Sequence, residues 1–201
     1  AREGEEAELL AALKQFRPSA AGNPPQGASD LIANGLVQWL IVPRHPQRFD
    51  EVEALVRQHG FSISRRSTWG PDAEPQAADV WLGDSMGEMP LYYGLGSVAL
   101  LGGSFAPLGG QNLIEAAACG CPVVMGPSVF NFQEAADLAA QAGAAFAVDS
   151  MAQGVKEAVA LAQDTVRGAQ VRAAAEQFAA AHRGAALRTA QAVQDLLGSR
   201  G

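Results

Sequence analysis

Hydrophobic positions along this chain switch between short continuous runs and a helical spacing, and each switch marks an element boundary. The run LVQWLIV at 36–42 has the length and composition of a strand and stops at Pro43. Shorter apolar runs at 61–64, 79–82, 97–101, 122–125 and 145–148 predict further strands. Apolar residues recur at helical spacing over 3–16, 49–59, 89–95, 112–118 and 133–142, and Gly60 closes the second of these helices. The proline-containing segments 18–30 and 67–76 predict loops. From Ala152 onward the sequence is rich in Ala, Gln, Glu and Arg, which predicts two or three terminal helices broken near Gly168 and Gly184.

Strands alternating with helices of about ten residues imply right-handed crossovers and a parallel sheet covered on both faces. The expected fold is therefore α/β, a Rossmann-like parallel sheet with helices on both faces, formed by residues 1–201 as one domain. A chain of 201 residues, 48% hydrophobic and 17% charged, has enough apolar surface for one core. Alanine supplies much of that apolar content after residue 135, so the bulk of the core is expected to come from the strands.

A net charge of −7 provides no surplus of cations with which to follow a nucleic acid backbone, so no nucleic acid partner is expected. No run approaches the roughly eighteen apolar residues of a membrane span, and the start lacks a signal-peptide layout, so a soluble chain is expected. Cys119 and Cys121 flank a glycine without a second ligand pair, which predicts buried reduced thiols rather than zinc. His59 and His182 have no clustered partners in the sequence, and neither a metal nor a cofactor is expected.

Ligands of parallel α/β sheets bind beyond the carboxyl ends of the strands, and three informative loops fall there. Gly102-Gly-Ser-Phe-Ala-Pro-Leu-Gly-Gly-Gln-Asn112 leaves a strand and opens a helix. Its glycines, Gly109 and Gly110 among them, either let backbone N–H groups approach an anion or make tight turns at positive φ. Asn112 is a candidate helix cap. Glu115, three residues on, either accepts hydrogen bonds from ribose hydroxyls or completes a capping box with Asn112. In Met86-Gly87-Glu88, the glycine admits a flat base, and the glutamate accepts from a base amine, holds the loop or balances a helix N-terminus. Pro43-Arg44-His45-Pro46 follows the first strand; Arg44 is the best phosphate or carboxylate ligand in the chain unless it forms a surface ion pair, and His45 is a minor contact.

Taken together, these strings resemble the donor-binding half of the 3-deoxy-D-manno-octulosonic acid (Kdo) transferases, glycosyltransferases of the GT-B class. The resemblance runs from Gly4-Glu5-Glu6 through Pro43-Arg44-His45-Pro46 to Asn131-Phe132 and is strongest between 83 and 134. It implies the C-terminal half of a GT-B enzyme that holds CMP-Kdo, with nucleotide contacts at Pro43, Arg44, Met86, Gly87, Glu88, Asn112, Leu113, Ile114 and Glu115. Ser104, Gly109, Gly110, Gln111 and Asn131 would line the same cleft. It further implies metal-free, inverting transfer of Kdo to a lipid A precursor at the cytoplasmic face of the bacterial inner membrane. In the family the general base, the acceptor site and the membrane contact belong to an N-terminal domain. No catalytic residue is therefore expected in this chain, which is expected not to catalyse alone.

Two departures stand out: Gln111 where relatives commonly have histidine, and Ala116 where they commonly have proline. Glutamine still donates hydrogen bonds, so binding is expected to survive without proton transfer at this position. The start, Ala1-Arg-Glu-Gly-Glu-Glu6, resembles the end of a family motif whose preceding strand belongs to the sheet, so a gap or exposed sheet edge, with weakened stability or association, is expected. The alternatives are another GT-B enzyme or a sugar-nucleotide epimerase using a UDP-sugar. A dinucleotide-dependent oxidoreductase is disfavoured, because no Gly-x-Gly-x-x-Gly follows an early strand.

Overall fold

The computed structural model describes residues 1–15, 37–70 and 78–198. The expected loop at 18–30 lies outside those residues, as does 71–76 of the second loop. The first sheet contains β1 (Trp39–Ile41), β2 (Ile63–Arg65) and β3 (Val80–Leu82) in the order β1-β3-β2. All its pairs are parallel, with Val80 opposite both Trp39 and Ile63. The second sheet contains β4 (Ala99–Leu100), β5 (Val123–Met125) and β6 (Ala145–Ala147), parallel and in that order. The central β5 is buried along its whole length, as its unbroken Val-Val-Met sequence requires.

Helices form the crossovers except between β2 and β3, where the described residues carry a 3-10 turn at Arg66–Thr68. The helices are α1 (Glu5–Gln15), α2 (Phe49–Gln58), α3 (Met89–Leu95), α4 (Leu113–Ala118), α5 (Gln133–Gln141), α6 (Met151–Gln163) and α7 (Thr165–Gly198). Around the first sheet, Leu9, Leu10 and Leu13 of α1 and Val52 and Val56 of α2 pack with Ile41, Val80 and Leu82, joined by Val155 of α6. The core around the second sheet differs from the strand-dominated expectation. There Ala116, Ala117, Ala136, Ala139, Ala175 and Ala179 are buried beside Leu113, Val123, Met125 and Phe178. Alanine adds little bulk, but it lets α4, α5 and α7 approach closely and fill the space with backbone.

The expected break near Gly168 falls at Asp164 instead. Asp164 leaves helical geometry at φ −87° and ψ 92°, and its carboxylate caps α7 by accepting from the Arg167 N–H at 2.9 Å. Gly168 continues the helix, its N–H donating to the Asp164 carbonyl at 2.7 Å. The backbone of α7 also runs unbroken through Gly184.

The parallel architecture is as expected, but hydrogen bonding divides the strands into two sheets of three. Ala1 stands at the junction. Its amine donates to the Val42 carbonyl at 2.6 Å, while the Arg44 N–H donates to the Ala1 carbonyl at 3.2 Å, the alternating pattern of a parallel pair. On the other side, a Cβ added to Gly102 would sit 3.3 Å from the Ala1 Cα. The carboxyl ends of β1 and β4 therefore lie on either side of Ala1, and the loops that follow them form one rim.

Candidate functional site: a cleft rim at the strand ends

Glu5 organises this rim. It lies on the face of α1 that carries Leu9 and Leu13, so the same spacing that buries the leucines buries its carboxylate, 3% exposed. That carboxylate accepts from Gly103 N–H at 2.8 Å, Phe105 N–H at 3.0 Å and Arg2 N–H at 3.0 Å. Other N–H groups of the glycine-rich loop are also committed. Gly110 and Gln111 donate to the Gly103 and Gly102 carbonyls, and Gly109 donates to Ser128 Oγ at 3.0 Å. The loop thus holds an anion through its backbone, but that anion is the protein's own glutamate.

Both explanations of the glycines leave a mark on the structure. Gly109 and Gly110 have φ of 80° and 75°, which supports the tight turn. They are also buried, Gly109 being pressed against Asn131 and Phe130. Asn131 itself is exposed and pins the loop from outside, its Nδ2 donating to the Leu108 carbonyl at 3.0 Å and its backbone N–H to the Gly109 carbonyl at 3.0 Å. Ser104 corrects the expectation that it lines the cleft. It is wholly buried, donating from Oγ to the Leu101 carbonyl at 2.6 Å and accepting from Gly126 N–H at 2.8 Å. The close approach of the chain at Gly126, whose added Cβ would stand 2.5 Å from the Ser104 carbonyl oxygen, keeps that hydroxyl inside.

Asn112 caps α4, its Oδ1 accepting from Ile114 N–H at 3.0 Å. Glu115 remains exposed in the first turn. Leu113 points into the core and is 1% exposed, which leaves only its backbone for a ligand, while Ile114 is half-buried. Helix α3 lies against α4. Burial and, secondarily, the Glu115 carboxylate push the Tyr93 phenol of α3 up to about 12. The segment Met86-Gly87-Glu88 precedes that same helix. Met86 is 69% exposed, and Gly87, at φ 79°, has open space where a Cβ would be, as a stacking platform requires.

Glu88 is already engaged within the protein. Its carboxylate accepts from Ser85 Oγ, from the Tyr92 hydroxyl at 3.2 Å and from the Arg66 guanidinium at 3.0 Å. The Ser85 hydrogen bond first, then Tyr92 and Arg66, hold its carboxyl below the usual range. Of the roles open to it, holding the loop is the one the geometry displays. Beneath, Asp84 accepts from Ser67 N–H at 2.8 Å and from Arg65 Nε at 2.6 Å. Burial raises the Asp84 carboxyl, but Ser67 and Arg65 together outweigh burial and set it below the ordinary value.

Pro43 is buried at the end of β1, whereas Arg44 and His45 are exposed. Arg44 and His45 line a cavity of about 260 Å³ with Ala1, Arg2, Glu3, Arg48 and Leu108. Arg48 is tied down by Glu6 at 2.7 Å and Glu51 at 3.1 Å. Arg44, Arg2 and His45 make no side-chain ion pair or hydrogen bond among the described residues. No surface ion pair therefore ties Arg44 to a described residue. Among those residues no cluster of His, Cys, Asp and Glu could hold a metal. The thiol of Cys121 is buried and pushed up to about 12, chiefly by desolvation; Cys119 is half-buried, and both are free.

A solved structure shares this fold. The crystal structure of the C-terminal CMP-Kdo binding domain of WaaA from Acinetobacter baumannii matches with a TM-score of 0.73 at 30% sequence identity, covering 88% of this chain and 83% of that one. The chain belongs to the Kdo transferase family. Family members among curated proteins agree. A 3-deoxy-D-manno-octulosonic acid transferase of Bordetella pertussis is 43% identical over 197 residues, 98% of this chain. One from Haemophilus influenzae is 39% identical over 120 residues, 60% of this chain. The chain spans less than half of these relatives, 43% of the first and 28% of the second. No family model matches the chain.

Within the family frame, three features escaped the sequence reading: Glu5 as the loop's anchor, the buried Glu6 to Arg48 pair, and Arg2 in the cavity. A signal for the first two was present. Glu5 and Glu6 share the helical face of Leu9, Leu10 and Leu13, and carboxylates on an apolar face call for internal partners. Arg2 carried no such signal, because only tertiary contact brings it beside Arg44.

Proposed function

We propose that this chain is the donor-binding half of a Kdo transferase, holding CMP-Kdo at the rim formed by the loops after β1, β3 and β4. The observation that carries this reading is the match to a solved CMP-Kdo binding domain over 88% of the chain. Arg44, exposed and without a described side-chain partner, supplies a planar fork to the phosphate. The exposed platform at Met86 and Gly87 receives the base, and Glu115 accepts from the ribose. Charge placed this way stabilises the departing CMP, and preorganised groups of that kind supply a large part of many rate enhancements.

In the whole enzyme the donated Kdo passes to a lipid A precursor at the cytoplasmic face of the inner membrane, with base, acceptor and membrane contacts supplied outside this chain. No described helix is long and apolar enough to cross a membrane. The test is calorimetric titration with CMP, with UMP as control. Selective CMP binding supports the reading, and Glu115→Ala is expected to weaken it by about 1–3 kcal/mol through loss of a charged hydrogen bond. Preference for UMP would instead indicate a UDP-sugar enzyme.

A further inference from the structure

We propose that Arg2 is a specificity-determining ligand for the carboxylate of the donor sugar, forming with Arg44 a cavity built for two adjacent anions. The inference rests on the CMP-Kdo reading and deepens it. Three arginines line the cavity beside the exposed Glu3, and the structure divides the arginines into two kinds. Arg48 is neutralised by Glu6 and Glu51 and serves the fold. Arg2 and Arg44 have no side-chain partner among the described residues, although the protein carries a net charge of −7 and exposes acidic groups in plenty. Glu3 also lines the cavity but forms no ion pair with either arginine among the described residues, so both guanidinium groups are open to a ligand's anions.

The chemistry of the donor accounts for both. An ulosonic acid has its carboxylate at C1 and its anomeric centre at C2, so activation as a CMP ester places a carboxylate and a phosphate oxygen on the same carbon. Such a donor presents two adjacent anions to its site, and two neighbouring guanidinium groups match them in charge. Arg44, at the end of β1, serves the phosphate; Arg2, in the same lining, is left for the carboxylate. Arg2 is also held in place. Its backbone N–H donates to the Glu5 carboxylate that fixes the glycine loop, and its Cγ lies 3.6 Å from where a Cβ on Gly103 would stand. The same glutamate thereby sets the loop and the arginine in one frame. A sugar without a carboxylate leaves Arg2 facing the ligand unpaired, which is how a polar site rejects an analogue lacking the matching group.

The experiment titrates the whole chain with CMP and with freshly prepared CMP-Kdo, in the wild type, Arg2→Gln and Arg2→Lys, with thermal midpoints recorded for each. The wild type is expected to bind CMP-Kdo at least tenfold more tightly than CMP. Arg2→Gln is expected to abolish that preference while leaving the Kd for CMP within twofold, and Arg2→Lys to restore part of it. If the wild type binds the two ligands equally, or Arg2→Gln keeps the preference, the inference is wrong and the donor-domain reading stands. An equal loss for both ligands also overturns it, assigning Arg2 to the phosphate if the midpoint is unchanged and to the fold if it falls. Failure of the wild type to bind either ligand removes the inference and the reading together.

Discussion

Replacing Glu5 with alanine removes the acceptor shared by the loop after β4 and Arg2, and the cost follows from its three hydrogen bonds. Gly103 is buried and Phe105 half-buried, so both N–H groups lose a charged acceptor in places water reaches poorly. A buried donor left unpaired costs about 1–3 kcal/mol, and a half-buried one less. The N–H of Arg2 is partly exposed and finds water, adding little. Loss of negative charge from the first turn of α1 adds about 0.3–1 kcal/mol. The expected total is about 3 kcal/mol, which at an m-value of about 2 kcal/mol/M lowers the urea midpoint by about 1.5 M. Glu5→Gln should fall between: its single carbonyl serves the position that now accepts from Gly103 and Arg2, while its amide N–H₂ confronts the Phe105 N–H. Glu8→Ala, an exposed position in the same turn, is the control and should show only the helix-end charge effect of about 0.3–1 kcal/mol. Urea unfolding followed by far-UV circular dichroism reads all three. A change below about 1 kcal/mol for Glu5→Ala would show that the loop holds itself and that the carboxylate is incidental.

Ser104→Ala leaves the Gly126 N–H unsatisfied in the core and should cost about 1–3 kcal/mol in the same assay. Gly109→Ala meets both a positive φ of 80° and a Cβ position 2.6 Å from Phe130 Cε2, so it should destabilise by at least about 1–2 kcal/mol and weaken CMP binding by displacing Asn131. The depressed carboxyl of Asp84 contributes stability that is present above its unfolded value near 4 and is lost as pH falls through its lower folded value. Unfolding free energy should therefore decline on acidification below about pH 4, with a shallower decline in Asp84→Asn; an unchanged slope would remove Asp84 from the linkage.

The sequence by itself determined the order and kind of the elements, because short β-branched runs and helical spacings are local properties. β3 at Val80–Leu82, α3 at Met89–Leu95 and β5 at Val123–Met125 fall where the pattern puts them. It also determined that the loops after β1 and β3 leave one end of their parallel sheet, whereas the contacts of Ala1 with Val42, Arg44 and Gly102 bring the loop after β4 to the same rim. The terminal break was misplaced because glycine lowers helix propensity without ending a helix, whereas Asp164 supplies a cap for the helix that follows. Only the tertiary structure decided what each rim residue has left to offer. Ser104 spends its hydroxyl on the core, Glu88 is held by Ser85, Tyr92 and Arg66, and the glycine loop closes on Glu5, whereas Arg44 and Arg2 remain open to the cavity. Those outcomes rest on hydrogen bonds between residues up to 100 positions apart in the chain. Periodicity reports which face of an element is buried; it carries no information about which distant donor will meet a given carboxylate once that face is in place.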